Sequence, residues 1–278
     1  MYLRPRTLDE ALEALGRQNL QILAGGTDFY PALGDRQPTR PLLDITALKE
    51  IKGITADRDA FAIGGLTTWS EVVAAPLPRC CDALKSAARE IGGIQIQNRG
   101  TIAGNLCNAS PAADSVPPLL ALDAEVELRS CRGMRRVPLC DFTLGNRNTA
   151  RAPDEILARV IVPRSVEHAA SVFLKLGARR YLVISIAMVA AVVATDERGF
   201  VSSARVAVGA CSVRAQRLHG LERDLAGAPV DHSLGDIVSA RHLESLSPID
   251  DVRATGEYRR EAALTLVRRA LDQCARSR

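Results

Sequence analysis

Gly25 and Gly26 stand in the stretch Ile22–Tyr30 (ILAGGTDFY), where a short apolar run meets paired glycines and then Thr27 and Asp28, before Pro31 stops the segment. Without a Cβ, paired glycines allow a tight turn whose successive backbone N–H groups face one anion. A phosphate or diphosphate suits such a concavity. A second glycine-bearing stretch, Arg99–Asp114 (RGTIAGNLCNASPAAD), has the same character: Thr101 brings a hydroxyl, Gly104 close backbone access, Asn105 a bifunctional amide and Asp114 a carboxylate. Two such loops point to a nucleotide cofactor held between them, whereas either loop alone reads equally well as an ordinary turn. The GxGxxG spacing of a Rossmann site is missing, so that fold is not assigned.

Other chemistry is poorly provided for. Seven cysteines, at 80, 81, 107, 131, 140, 211 and 274, form no CxxC pair, which argues against a disulfide framework, a zinc knuckle or an iron–sulfur cluster on this chain. Cys107 reads as a small buried thiol rather than a nucleophile. The histidines, at 168, 219, 232 and 242, follow no metal-ligand motif. Formal net charge is +4 with scattered basic pairs and no basic stripe, which excludes a nucleic-acid reading. MYLRPRTLDEAL has no apolar signal region, and the longest apolar run, Leu182–Ala194, is broken by Ser185 and too short to span a bilayer. No transmembrane segment is expected, and a reducing, cytoplasmic setting is.

The elements that must position the two loops follow from pattern. Thr7 with Glu10 caps a helix whose buried face is Leu8, Ala11, Leu12 and Leu15 and which Gly16 ends; Asn19–Leu23 enters the first glycine loop as a strand. Leu33–Arg36 reads as a short helical or turn segment. Short strands are expected at Ile51–Ile54 and Ala60–Ile63, a helix capped by Thr68 with Trp69 as a core residue, and another helix at Arg79–Ile91. A helix and strand share Leu119–Leu128, and Gly133 turns the next hairpin. The alternation Ile156, Ala158, Val160 and Val162 predicts a partly buried strand. A boundary falls at Pro163–Glu167. Beyond it come a VFLKL strand, an apolar segment at Val183–Val193 whose period does not separate helix from strand, a loop at Pro229–His232 and a terminal helix at Glu257–Ala270. The composition, 47% apolar and 24% charged, is that of a globular protein, here with two α+β domains.

AGGTDFYP, NRGTIAGNLCNASPAAD, FLKLGARR and DVRATGEYRR together resemble the FAD-binding subunit of molybdenum hydroxylases, the family that includes the medium subunit of carbon monoxide dehydrogenase and the flavin portion of xanthine dehydrogenase. The resemblance implies an FAD-binding domain of the PCMH or vanillyl-alcohol-oxidase type over residues 1–165, with subdomains of about 1–50 and 51–165. A smaller C-terminal α+β domain would occupy 166–278. It also implies that Ile22, Leu23, Ala24, Gly25, Gly26, Thr27, Asp28 and Phe29 form the diphosphate loop, and that Thr101, Ala103, Gly104 and Asn105 complete the cradle. Asp114 would lie near the flavin or its ribityl chain, Leu157 would touch the flavin, and Lys175 would be a later basic contact. Ile91 takes the place where some relatives have an aromatic beside the ring. Implied partners are a small subunit with two 2Fe–2S clusters and a large subunit with a molybdenum–pterin cofactor, commonly as a dimer of heterotrimers. Substrate would be oxidised on the large subunit, and this chain would pass electrons from the clusters through FAD to an external acceptor, with no catalytic or metal-ligating residue of its own. A flavin-free interaction subunit of the same complex is the alternative expectation.

Overall fold

The computed structural model describes residues 1–231 and 233–277; the loop expected at Pro229–His232 is therefore seen to Asp231, and His232 lies outside the described residues. At the N-terminus Thr7 and Glu10 form the expected capping box over the helix Leu8–Arg17, whose buried face is Leu8, Ala11, Leu12 and Leu15. Gly16 does not end this helix. Its φ is not positive, so it supplies no left-handed terminator; the helix continues to Arg17 and leaves at Gln18, whose N–H bonds the Ala14 carbonyl at 3.1 Å. A small parallel sheet with the order Tyr2–Leu3, Leu42–Asp44, Gln21–Leu23 carries the chain into the first glycine loop. Nor does Pro31 break the segment. It falls in the first turn of the helix Phe29–Leu33, where an N–H would have no intrahelical acceptor, and Gly34 at φ +57° closes that helix; the short helical or turn segment expected at Leu33–Arg36 is a turn, with Arg36 N–H on the Leu33 carbonyl at 3.2 Å.

A five-stranded antiparallel sheet follows, in the order Ile54–Ala56, Ala60–Gly64, Ile156–Pro163, Glu125–Ser130, Gly133–Pro138. Ile51 belongs to a 3-10 turn instead of a strand, because Gly53 at φ +91° turns the chain before pairing starts at Ile54. The central strand Ile156–Pro163 is more deeply buried than its alternation predicts, with Arg159 its one exposed residue. A bulge between Leu157 and Arg159 explains why. It changes the parity, so Ile156 and Ala158 join the N-terminal core while Leu157, Val160 and Val162 pack into the central one. Thr68 and Glu71 form a second capping box, and Trp69 is 1% exposed, in the central core as expected. The helix placed at Arg79–Ile91 is a 3-10 turn followed by the α-helix Asp82–Glu90.

The last part is a four-stranded antiparallel sheet, Ala170–Leu176, Ala187–Thr195, Val201–Gly209 and Gln216–Arg217. The ambiguous apolar run is a strand only from Ala187. Ala187, Val189, Ala191 and Val193 face the helices His219–Leu225 and Gly256–Arg276, while Met188, Ala190 and Val192 pack toward Asp82–Glu90 and Val116–Ala121. Both faces are buried, so period two leaves no polar trace in the sequence. This sheet therefore shares the central core with the elements that carry the second glycine stretch.

Candidate functional site

The first glycine loop crosses from the strand Gln21–Leu23 to the helix Phe29–Leu33. Among the described residues, the N–H groups of Gly25, Gly26, Thr27, Asp28 and Phe29 donate to no protein acceptor. Gly26 needs its missing Cβ for a φ of +75°. At Gly25 the reason is contact: a Cβ there would lie 1.9 Å from the carbonyl oxygen of Arg99 and 3.1 Å from the Cα of Gly100. The two glycine stretches, more than seventy residues apart in the chain, thus touch backbone to backbone.

The second stretch is built differently. Thr101 caps the helix Ile102–Asn108 by accepting from Gly104 N–H at 3.2 Å. Ile102 N–H goes to the Thr67 carbonyl, Ala103 N–H to that of Gly65 and Asn105 N–H to that of Thr101, each at 3.0 Å. Every early donor of this helix is satisfied within the protein, so the cradle is asymmetric. The first loop holds the free donors, and the second supplies a close wall that offers side-chain groups such as the Asn105 amide, whose oxygen is taken by Ser115 at 2.6 Å. Gly65, just after the strand Ala60–Gly64, makes this possible. A Cβ on it would sit 2.3 Å from the Leu157 carbonyl, and its own carbonyl receives Ala103.

Between the loops lies a cleft of about 1040 Å³. Ile22, Leu23, Ala24, Gly25, Gly26, Thr27, Asp28, Phe29, Ile91, Thr101, Ala103, Gly104, Asn105, Asp114 and Leu157 all line it. Lys175 does not. Its ammonium is instead 2.7 Å from Asp114 Oδ2, with 8% of each side chain exposed, so it is a buried ion-pair partner and not a strand residue snorkelling to solvent. Ser185 donates to the other oxygen, Asp114 Oδ1, at 2.6 Å. Burial pushes the Asp114 carboxyl up, opposed first by the charge and hydrogen bond of Lys175 and then by Ser185. Two further wall residues, Val183 and Ile184, come from the apolar run read only as a buried element. Arg147, in the hairpin Thr143–Gly145 and Asn148–Thr149, reaches the same cleft through Asn108. Cys107 lines it as well, and desolvation pushes that thiol up to about 11, which keeps it protonated and unreactive.

The volume lies at the upper end of ordinary ligand pockets, about 300–1,000 Å³, and suits an extended dinucleotide better than a small substrate. Five unpaired N–H groups in sequence are the donor set a diphosphate requires, and the cleft continues past Ile91, Leu157 and Val183, whose apolar side chains suit a flat ring. The residues present fit FAD. Among the described residues no group of His, Cys, Asp or Glu could hold a metal ion, and no helix is long and apolar enough to cross a membrane.

A fold of this kind around a cleft of this kind defines a dinucleotide-binding flavoprotein. Residues 1–165 match the family model described as the FAD binding domain in molybdopterin dehydrogenase, and residues 173–274 match the CO dehydrogenase flavoprotein C-terminal domain. The chain is 33% identical to the xanthine dehydrogenase FAD-binding subunit of Escherichia coli over 98% of its own length and 94% of that protein. It is 36% identical to the nicotinate dehydrogenase FAD-subunit of Eubacterium barkeri, over 82% and 80%. Reconstituted CO dehydrogenase from Oligotropha carboxidovorans superposes with a TM-score of 0.90 at 26% identity, covering 100% of this chain and 98% of the other. The chain belongs to the family of FAD-binding subunits of molybdenum-dependent dehydrogenases.

Proposed function

We propose that this chain holds FAD across the cleft and passes electrons from an iron–sulfur partner subunit to an external acceptor, while substrate is oxidised on a large molybdenum–pterin subunit. One observation carries the site assignment: the unpaired N–H run of Gly25–Phe29 faces a wall, Arg99–Asn105, that touches it. In this reading the run binds the diphosphate, and Ile22, Leu23 and Ala24 bring it to the cleft from the strand. Thr101, Ala103, Gly104 and Asn105 close the opposite side, their own N–H groups already spent, so they contribute shape and the Asn105 amide. Ile91, Leu157 and Asp114 flank the flavin end. Lys175 acts through Asp114, its charge and hydrogen bond opposing the upward push that burial exerts on that carboxyl. When bound, FAD supplies both one-electron and two-electron transfer. The protein's part is to bind, orient and exclude water, and no side chain of the cleft is needed as acid, base or nucleophile.

Free donors in the first loop, lining a cleft of dinucleotide size, favour a flavin-carrying subunit over a flavin-free one. Relatives described as medium chains, of glyceraldehyde dehydrogenase in Sulfolobus acidocaldarius and of carbon monoxide dehydrogenase in Hydrogenophaga pseudoflava, support an assembly with small and large partners, here proposed as a dimer of heterotrimers. Seven free cysteines support a reducing, cytoplasmic setting. The test is purification of the native complex with its visible spectrum, flavin and metal analysis, and native mass. One FAD per copy of this chain, with iron and molybdenum in separate subunits, is expected; an active complex without flavin refutes the reading.

A further inference from the structure

The strands Ala170–Leu176 and Ala187–Thr195 pair up to Leu176 and Ala187, leaving a ten-residue loop, 177–186, between them. Much of it is open, with Tyr181 54%, Leu182 46% and Ile184 51% exposed. Val183 and Ile184 line the cleft. That wall is held from both ends: before it Arg179 Nε donates to the Leu182 carbonyl at 3.1 Å, and after it come Ser185 and Ile186. Ile186 is fixed by the sheet, its N–H reaching the Leu176 carbonyl at 2.8 Å, and by Arg259, whose Nη1 donates to the Ile186 carbonyl at 2.6 Å. Arg259 is itself 3% exposed and held by Asp251 at 2.7 Å, which gives the DVRATGEYRR stretch a structural purpose. Ser185 is fixed by a single hydrogen bond, to Asp114 at 2.6 Å. Asp114 closes the second glycine stretch, and Lys175, on the strand that feeds the loop, holds its second oxygen at 2.7 Å.

We propose that Ser185 is a positioning residue for the flavin end of the cleft. Its hydroxyl fastens the loop to Asp114 and so sets Val183 and Ile184 as a wall against the ring. The inference rests on the reading that FAD occupies this cleft. Without the hydroxyl, Ile186 stays anchored and Arg179 still holds the Leu182 carbonyl, but residues 183–185 lose the side-chain hydrogen bond that joins them to the second glycine stretch, keeping only contacts such as that of Val183 with Gly177 within the same loop. Ser185 is 1% exposed, and alanine fills the same space less one oxygen, so the substitution removes the tie without adding bulk.

The test compares wild type, Ser185→Ala and Ser185→Cys as full chains purified with FAD, each checked for folding by circular dichroism. Two readouts are independent of turnover: quenching of flavin fluorescence by iodide, and tryptic cleavage at Arg179–Arg180 in the loop. Ser185→Ala is expected to keep stoichiometric FAD while iodide quenching rises about twofold or more and cleavage quickens several-fold. Ser185→Cys, with a weak S–H donor, is expected to fall between. FAD retained with quenching and cleavage unchanged overturns the proposal. If Ser185→Ala does not fold, the cysteine variant carries the same test, and wild-type behaviour in it is the contrary result. Failure of the underlying reading is separable: Gly25→Val would then bind FAD like wild type, whereas the cleavage comparison needs no flavin.

Discussion

Gly25→Ala is the most direct perturbation of the contact between the two glycine stretches. The new Cβ would lie 1.9 Å from the Arg99 carbonyl oxygen and 2.7 Å from its carbon, both backbone atoms that cannot rotate away. Opening from 1.9 Å to an ordinary contact of 3.4 Å requires the loops to part by about 1.5 Å, since 3.4 minus 1.9 is 1.5. Overpacking of this kind costs about 1–3 kcal/mol of stability. The larger effect falls on the cofactor. A displacement of that size takes a hydrogen bond of about 2.9 Å beyond useful range, and a bond to a charged group contributes about 1.5–3 kcal/mol. Loss of one such bond weakens FAD binding by roughly 10-fold to 150-fold, and loss of two by more. The assay is reconstitution of flavin-stripped protein followed by flavin fluorescence, with thermal unfolding as the control. FAD affinity within about twofold of wild type, in a variant that melts as a folded protein, refutes the argument.

Gly104→Asp separates the cofactor from the fold. A Cβ there meets Thr101 Oγ1 at 2.9 Å, so the capping hydroxyl must give, a loss of about 0.5–2 kcal/mol partly offset by about 0.3–1 kcal/mol for an acidic residue in a first helical turn; FAD retention is expected to fall in reconstitution by more than this small change in melting temperature accounts for. Lys175→Met strips a buried carboxylate of its counter-ion and is expected to cost about 3 kcal/mol in denaturant unfolding, with Lys175→Met/Asp114→Asn less destabilised than the sum of the two single changes. Strict additivity would show that the pair is uncoupled. Acid stability addresses Asp251, whose carboxyl is held down to about 2 by the Arg253 N–H first and then by the Arg259 and Arg253 side chains. A depressed carboxyl stabilises fully above its ordinary value of 3.8 and loses that contribution as pH falls through about 2. The gap in unfolding midpoint between wild type and Asp251→Asn is therefore expected to be wide at neutral pH and to close from about pH 4 down to pH 2; a gap independent of pH contradicts this.

Both glycine loops were readable because a residue without a side chain is itself the signal for close backbone approach. Capping boxes at Thr7 and Thr68 were equally plain, since their chemistry lies within four residues. Gly16 and Pro31 misled because punctuation depends on conformation: a glycine in right-handed backbone does not stop a helix, and a proline in a first turn does not break one. Sequence distance hid the rest. Asp114 and Lys175 are 61 positions apart, and Asp114 and Ser185 71, so no local pattern joins them. Ser185 stood out only as an interruption in an apolar run. Which N–H groups are free could not be read either, because Thr67 and Gly65, the acceptors that satisfy the second loop, belong to a different segment.

Hydrogen–deuterium exchange of the flavin-free chain, with and without added FAD, tests the asymmetric cradle. Amides of Gly25–Phe29 have no protein acceptor and are expected to exchange fast alone and slow markedly when FAD binds; those of Ile102–Asn105, already bonded within the protein, are expected to change little. Saturating FAD that leaves the Gly25–Phe29 amides as fast as before, or that protects Ile102–Asn105 instead, would contradict the account.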